Sequence, residues 1–131
     1  MAEARGRCNC GGVAFRARNL RETVTFCHCD ECRRFCGHHW AATVAPVEDV
    51  TFSADATLTW YAHRTDDARG FCGRCGASLF YRPADGSYLG IAPGTLDAPT
   101  GLRLGRHIWA CEKGDYYALA EGVPVFDRYP G

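Results

Sequence analysis

Residues 69–82 read Arg69-Gly-Phe71-Cys72-Gly73-Arg74-Cys75-Gly76-Ala-Ser-Leu79-Phe-Tyr-Arg82. Cys72-Gly-Arg-Cys75-Gly76 is a Cys-x-x-Cys-Gly knuckle: the turn points both sulfurs the same way and leaves backbone N–H groups free to stabilise them. Two sulfurs do not complete a metal site, and the chain supplies a second pair at Cys8-Asn-Cys10-Gly-Gly. A two-residue spacing strains a disulfide, whereas two thiolates at a turn share a metal readily. The glycines that follow permit the positive φ such a turn needs. Cys8, Cys10, Cys72 and Cys75 together make a closed, tetrahedral four-thiolate zinc site that ties the N-terminus to the middle of the chain. A redox Cys-x-x-Cys would open a helix within a βαβ pattern, and no such pattern is present.

A third cluster, Cys27-His28-Cys29-Asp30-Glu31-Cys32-Arg33-Arg34, offers three thiolates within six residues. Three protein ligands leave one tetrahedral position for water or substrate, the arrangement of a catalytic zinc. A fourth ligand from His28, Cys36, His38 or His39 would close it into a second structural site, and both readings stand on the residues alone. His38-His39 otherwise reads as a half-exposed pair without metal. Arg33 and Arg34 are expected to balance the charge of the thiolates. Cys111 reads as a buried thiol on a strand.

Nine cysteines in 131 residues require an account. The N-terminal Met-Ala-Glu-Ala-Arg-Gly-Arg is charged and lacks the apolar run of a signal peptide, and no stretch approaches the ~18 apolar residues of a membrane span. The expectation is a cytoplasmic protein whose thiols stay reduced and bind metal. Fifteen basic residues balance fifteen acidic ones, so the net charge is zero, against the basic excess of nucleic-acid binders.

The rest of the chain reads as mainly β. Segments 12–17, 40–44, 49–53, 58–62, 78–82, 87–91 and 107–111 are short and rich in β-branched and aromatic residues. Turn chemistry stands at Asp85-Gly86, Pro93-Gly94 and Pro99-Thr-Gly101. One helical turn is expected after Cys29, in DECRRFC, and residues 93–106 read as a long loop. With 47% hydrophobic residues the chain has enough apolar surface for one core, so residues 1–131 are expected to form a single domain.

In this order the motifs closely resemble those of the glutathione-dependent formaldehyde-activating enzyme family, which includes centromere protein V. The matching pieces are Cys8-Asn-Cys10-Gly-Gly-Val13, Cys27-His-Cys29-Asp-Glu-Cys32-Arg-Arg34, Arg69-Gly-Phe-Cys72-Gly-Arg-Cys75-Gly-Ala-Ser-Leu79, Gly94-Thr-Leu-Asp97 and His107-Ile108. The resemblance implies a β-tent of twisted antiparallel sheets organised around zinc. It implies a structural zinc on Cys8, Cys10, Cys72 and Cys75 and a catalytic one on Cys27, Cys29 and Cys32. It also implies a carbon–sulfur lyase activity in which a small thiol such as glutathione adds to a small aldehyde such as formaldehyde. The alternative is a zinc-stabilised binding or scaffold domain without catalysis. His28, Glu31 and His107 are proton-transfer candidates by residue type only. Cys36 falls at a position that is not a zinc ligand in the family, and the stretch after His107 lacks the Lys-x-x-Trp sequence seen in many members.

Overall fold

The structure, a computed structural model, describes residues 3–62 and 66–130. Among these residues are ten strands: β1 (Ala4–Arg7), β2 (Ala14–Ala17), β3 (Thr23–Cys27), β4 (Trp40–Pro46), β5 (Val50–Ala54), β6 (Leu58–Tyr61), β7 (Ala68–Cys72), β8 (Ser78–Arg82), β9 (Tyr88–Ile91) and β10 (Arg103–Ile108). Among the described residues one short α-helix, α1 (Asp30–Cys36), follows β3. This is the mainly β architecture expected, with the helical turn where DECRRFC placed it.

The strands form two sheets, one of order β1-β2-β5 and one of order β10-β3-β4-β9-β8-β7-β6. All pairs are antiparallel except β10 with β3, which is parallel, so the large sheet is mixed. Three strands lie where the sequence did not place them. β1 (ARGR) and β7 (ARGFC) are rich in Arg and Gly, and the strand character of β3 (TVTFC) was masked by the cysteine motif that it runs into. The 93–106 loop and the 107–111 strand are also corrected. The chain makes a 3-10 turn at Pro93–Thr95, and β10 begins at Arg103 and ends at Ile108. Gly105 hides the pattern: it sits at a register shift, and a Cβ there would come within 2.6 Å of Thr23.

Side chains alternate across a strand, so the register assigns each residue of the large sheet to a face. One face carries Thr43 and Ala45 of β4, Leu89 and Ile91 of β9, Phe80 of β8, and Gly70 and Cys72 of β7. It packs with Phe15 and Ala17 of the small sheet, together with Val13, Leu20 and Leu96, in the main core. Phe15 and Phe80 meet edge to face at 5.1 Å between centroids, and Phe52 of β5 closes the aromatic trio. The opposite face carries Arg106 and Ile108, Thr25 and Cys27, Trp40, Ala42 and Val44, Tyr88 and Gly90, Tyr81, Arg69 and Tyr61. That face has no second sheet over it. Among the described residues no helix is long and apolar enough to cross a membrane.

Candidate metal centres and cleft

All nine cysteines are among the described residues and none is disulfide-bonded. The structure brings Cys8, Cys10, Cys72 and Cys75 together, with every Sγ within 4.8 Å of the others. Cys10 Sγ lies 3.7 Å from both Cys8 Sγ and Cys72 Sγ. A disulfide needs about 2.05 Å, whereas a tetrahedral metal with sulfur bonds of ~2.3 Å sets its ligands ~3.8 Å apart. Local backbone builds the site. Cys8 follows β1, Cys72 ends β7, and Gly11 and Gly76 each turn the chain with φ of +79° just beyond a ligand pair.

Donors surround these sulfurs. Val13 N–H reaches Cys8 Sγ at 3.3 Å and Gly12 N–H reaches Cys10 Sγ at 3.4 Å. Cys72 Sγ receives the N–H groups of Arg74 and Cys75 at 3.4 Å and lies 3.2 Å from Thr57 Oγ1. The Thr57 hydroxyl and these amides pull the Cys72 pKa down to about 5. The Arg74 guanidinium lowers that of Cys10, while burial raises that of Cys8. The group faces the main core, between the N-terminal turn and β7.

Cys27, Cys29 and Cys32 also converge, their sulfurs within 4.8 Å of one another. Cys27 ends β3, Cys29 caps α1, and Cys32 lies one turn into the helix, donating its N–H to Cys29 Sγ at 3.3 Å. Three packed thiols share few protons. Hydrogen bonds from Cys27 and Cys32 draw the Cys29 pKa down to about 2. The loss of that proton pushes Cys27 up to about 12 and raises Cys32 as well. Each group is therefore able to hold a metal ion, the first with four sulfurs and the second with three.

The two groups stand on opposite sides of the large sheet. Cys72 belongs to the core face. Cys27 belongs to the open face, where a cleft of about 930 Å³ runs from the three thiols across the sheet. Its floor is the open face from Arg106 to Tyr61. Its walls come from α1 (Asp30, Glu31, Arg34, Phe35) and from Trp109, Glu112 and Tyr129. The chain after His107 thus contributes to the cleft even without a Lys-x-x-Trp sequence. Residues 124–127 run beside the end of β10, bonding through His107 N–H to Pro124 O and Phe126 N–H to His107 O, each at 2.9 Å.

Other expected residues fall elsewhere. Cys36 turns away from the three thiols, donating to Cys32 O at 2.8 Å. Cys111 is exposed on a 3-10 turn at Ala110–Glu112, not buried on a strand, because the strand ends at Ile108 and Trp109 adopts a left-handed backbone. Arg33 and Arg34 both pair with Asp30, at 3.0 and 2.9 Å, rather than with sulfur. The cation beside the thiols is Arg69, which no cysteine spacing singled out: its Nη2 lies 3.4 Å from Cys32 Sγ.

His28, His38, His39 and His107 lie off the cleft. His28 Nε2 bonds His107 Nδ1 at 2.9 Å and His28 Nδ1 bonds Tyr117 OH at 2.6 Å, all behind β3 and β10. Burial, with the neighbouring histidines, brings His28 down to about 4, so it stays neutral. His39 stacks on Phe26 at 4.0 Å, and exposed His38 bonds Tyr116 OH at 2.7 Å.

Comparisons with known proteins agree with this geometry. An uncharacterized lyase of Schizosaccharomyces pombe is 27% identical over 135 residues, covering 96% of this chain and 92% of its own length. A crystal structure of a Rhodobacter sphaeroides protein shares the fold, with a TM-score of 0.65 at 23% identity, over 92% of this chain and 98% of that one. The family described as glutathione-dependent formaldehyde-activating enzyme matches residues 3–112, and the chain belongs to that family.

Proposed function

We propose that this chain is a zinc-dependent carbon–sulfur lyase that joins a small glutathione-like thiol to a small aldehyde, of which formaldehyde is the simplest, and reverses that addition. The observation that carries the reading is the position of Cys27, Cys29 and Cys32 at one end of an open cleft, with a separate four-cysteine group on the opposite side of the large sheet. All-thiolate donor sets of these sizes suit zinc. Zinc on Cys27, Cys29 and Cys32 would supply an open position that lowers the pKa of an incoming thiol.

The cleft suits the larger reactant. Its volume is at the upper end of the ~300–1,000 Å³ typical of ligand pockets, far more than an aldehyde of one carbon fills. In the reaction a sulfur–carbon bond forms, the thiol loses its proton and the aldehyde oxygen gains one, with no change of oxidation state. Of the three proton-transfer candidates, Glu31 alone borders the cleft, at its thiol end. His28 and His107 point to the other side of the sheet. We therefore assign to Glu31, a carboxylate paired with Arg69, and to cleft water the transfer of the thiol's proton to the aldehyde oxygen. Trp40, Ile108 and Trp109 form an apolar flank beside Cys27.

The test uses the zinc-loaded full chain titrated with glutathione, with and without formaldehyde. X-ray absorption should show an exogenous sulfur joining one of two zincs, and NMR exchange should show faster adduct turnover than in buffer. Cys29→Ala should lose both effects and keep one zinc and the fold. A fourth ligand that stays protein-derived at saturating thiol would overturn the reading in favour of a scaffold domain.

A further inference from the structure

Charge along the cleft is matched at one end and not at the other. Near the thiols, Asp30 receives Arg33 and Arg34, Glu31 receives Arg69 at 2.9 Å, and Glu112 Oε1 accepts the Asp30 N–H at 2.8 Å. Further along the floor, Arg21 and Arg106 converge on one hydroxyl oxygen. Arg21 Nη2 donates to Thr25 Oγ1 at 3.1 Å and Arg106 Nε donates to the same atom at 3.2 Å.

Neither guanidinium has a carboxylate partner among the described residues. The other bonds of Arg21 go to neutral carbonyls, Thr23 O at 2.9 Å and Ala42 O at 3.1 Å. Arg106 otherwise faces the ring of Tyr129, 5.5 Å from its centroid. Burial and the charge of Arg106 both work against the charge on Arg21 and lower its pKa. Two half-buried cations on one acceptor repel each other, and an anion bridging them would relieve that repulsion.

The placement identifies the anion's carrier. Thr25 and Cys27 are two residues apart on the same face of β3, a separation of ~7 Å at ~3.3 Å per residue. A molecule whose sulfur reaches the three cysteines therefore passes over Thr25 if it is of tripeptide size. We propose that Arg21 and Arg106 form a carboxylate-binding subsite that holds an acidic group of the thiol substrate and makes the enzyme selective for anionic thiols. This rests on the thiol-and-aldehyde reading above. Arg106, bonded only through Nε among the described residues, and the Nη1 of Arg21 leave N–H donors that suit a carboxylate, and a phosphate or sulfate would meet the same donors but carries no thiol to the cysteines.

The experiment measures affinities by calorimetry on the zinc-loaded full chain, using glutathione, its diethyl ester, and S-methylglutathione, which has no free thiol. Glutathione should bind at least tenfold more tightly than the ester. Arg106→Gln should abolish that preference and leave ester affinity within twofold, and Arg106→Lys should restore part of it. Arg21→Gln should act in the same direction, but Arg21 also holds backbone carbonyls, so Arg106 provides the cleaner comparison. Equal loss for both ligands in Arg106→Gln, or no preference in the wild type, would overturn the subsite. S-methylglutathione separates the two proposals. If it binds in an Arg106-dependent way while no thiol perturbs the zinc, the subsite stands and the thiol reading fails; if neither it nor glutathione binds, the subsite fails too.

Discussion

Arg69 Nη2 stands 3.4 Å from Cys32 Sγ and 2.9 Å from Glu31 Oε1, reaching from β7 to the helix that carries both. The side chain is 7% exposed. Burial opposes its charge, but Cys32 and Glu31 more than offset this and hold its pKa above the usual arginine value. Three thiolates around a dication would leave one net negative charge, and Arg69 is the cation placed to neutralise it.

Arg69→Gln is therefore expected to weaken metal binding by the Cys27 group by about 10–100-fold, the usual cost of removing a partner that supports a ligand. Competition with a chromophoric chelator should show this loss in one of two sites. Equal weakening at both sites would mean that Arg69 acts through the fold rather than through Cys32.

Cys75→Ala tests the other group. Its ligands come from two segments more than sixty residues apart in sequence, so metal binding there is linked directly to folding free energy. The variant should bind one metal fewer per chain and lose on the order of 3 kcal/mol, a fall in Tm of roughly 10 °C for a domain of this size. An unchanged melting curve with both metals retained would remove this group as a metal site.

Proton release reports the state of the three thiols. At pH 7 Cys29, drawn down to about 2, is already ionised, while Cys27, near 12, and Cys32, also raised, keep their protons. Filling this group should release two protons, so its affinity rises by ~100-fold per pH unit across neutrality and falls equally as pH drops. Calorimetry in buffers of different ionisation enthalpy, with the four-cysteine group already loaded, measures the count. Three protons released would mean that Cys29 is not ionised beforehand.

Much of this was legible in the sequence because cysteine spacing and turn chemistry are local. Cys8 with Cys10, Cys72 with Cys75, and the helical turn after Cys29 are each encoded within a few residues. The face that a residue occupies is not. Arg69, Arg21 and Arg106 become neighbours of the cleft only through the register of β7, β3 and β10, and two of those strands lack the alternation that marks a half-buried strand. His28 illustrates the converse: lying between two clustered cysteines made it a candidate, yet the alternation of β3 turns it to the opposite side.

Gly90 offers a test of the cleft as a whole. It lies on the open face of β9, opposite Val44 on one side and Tyr81 on the other. A Cβ added there would stand 3.3 Å from Tyr81 Cβ, a tight contact that Tyr81 must yield slightly to admit, and 3.7 Å from Ala42 Cβ, so a side chain rises from the floor. Gly90→Ala should fold with a small shift of Tyr81 and keep the cleft open. Gly90→Val should obstruct a reactant long enough to span from Cys27 past Ala42, raising KM for glutathione about tenfold, or ~1.4 kcal/mol. A thiol as short as 2-mercaptoethanol should be affected less than twofold, because it needs only the thiol end. Both variants should keep two metals, since Gly90 touches neither cysteine group. Equal losses for long and short thiols would show that the substitution disturbs Cys27 through the sheet, and that the floor around Gly90 is not where the substrate lies.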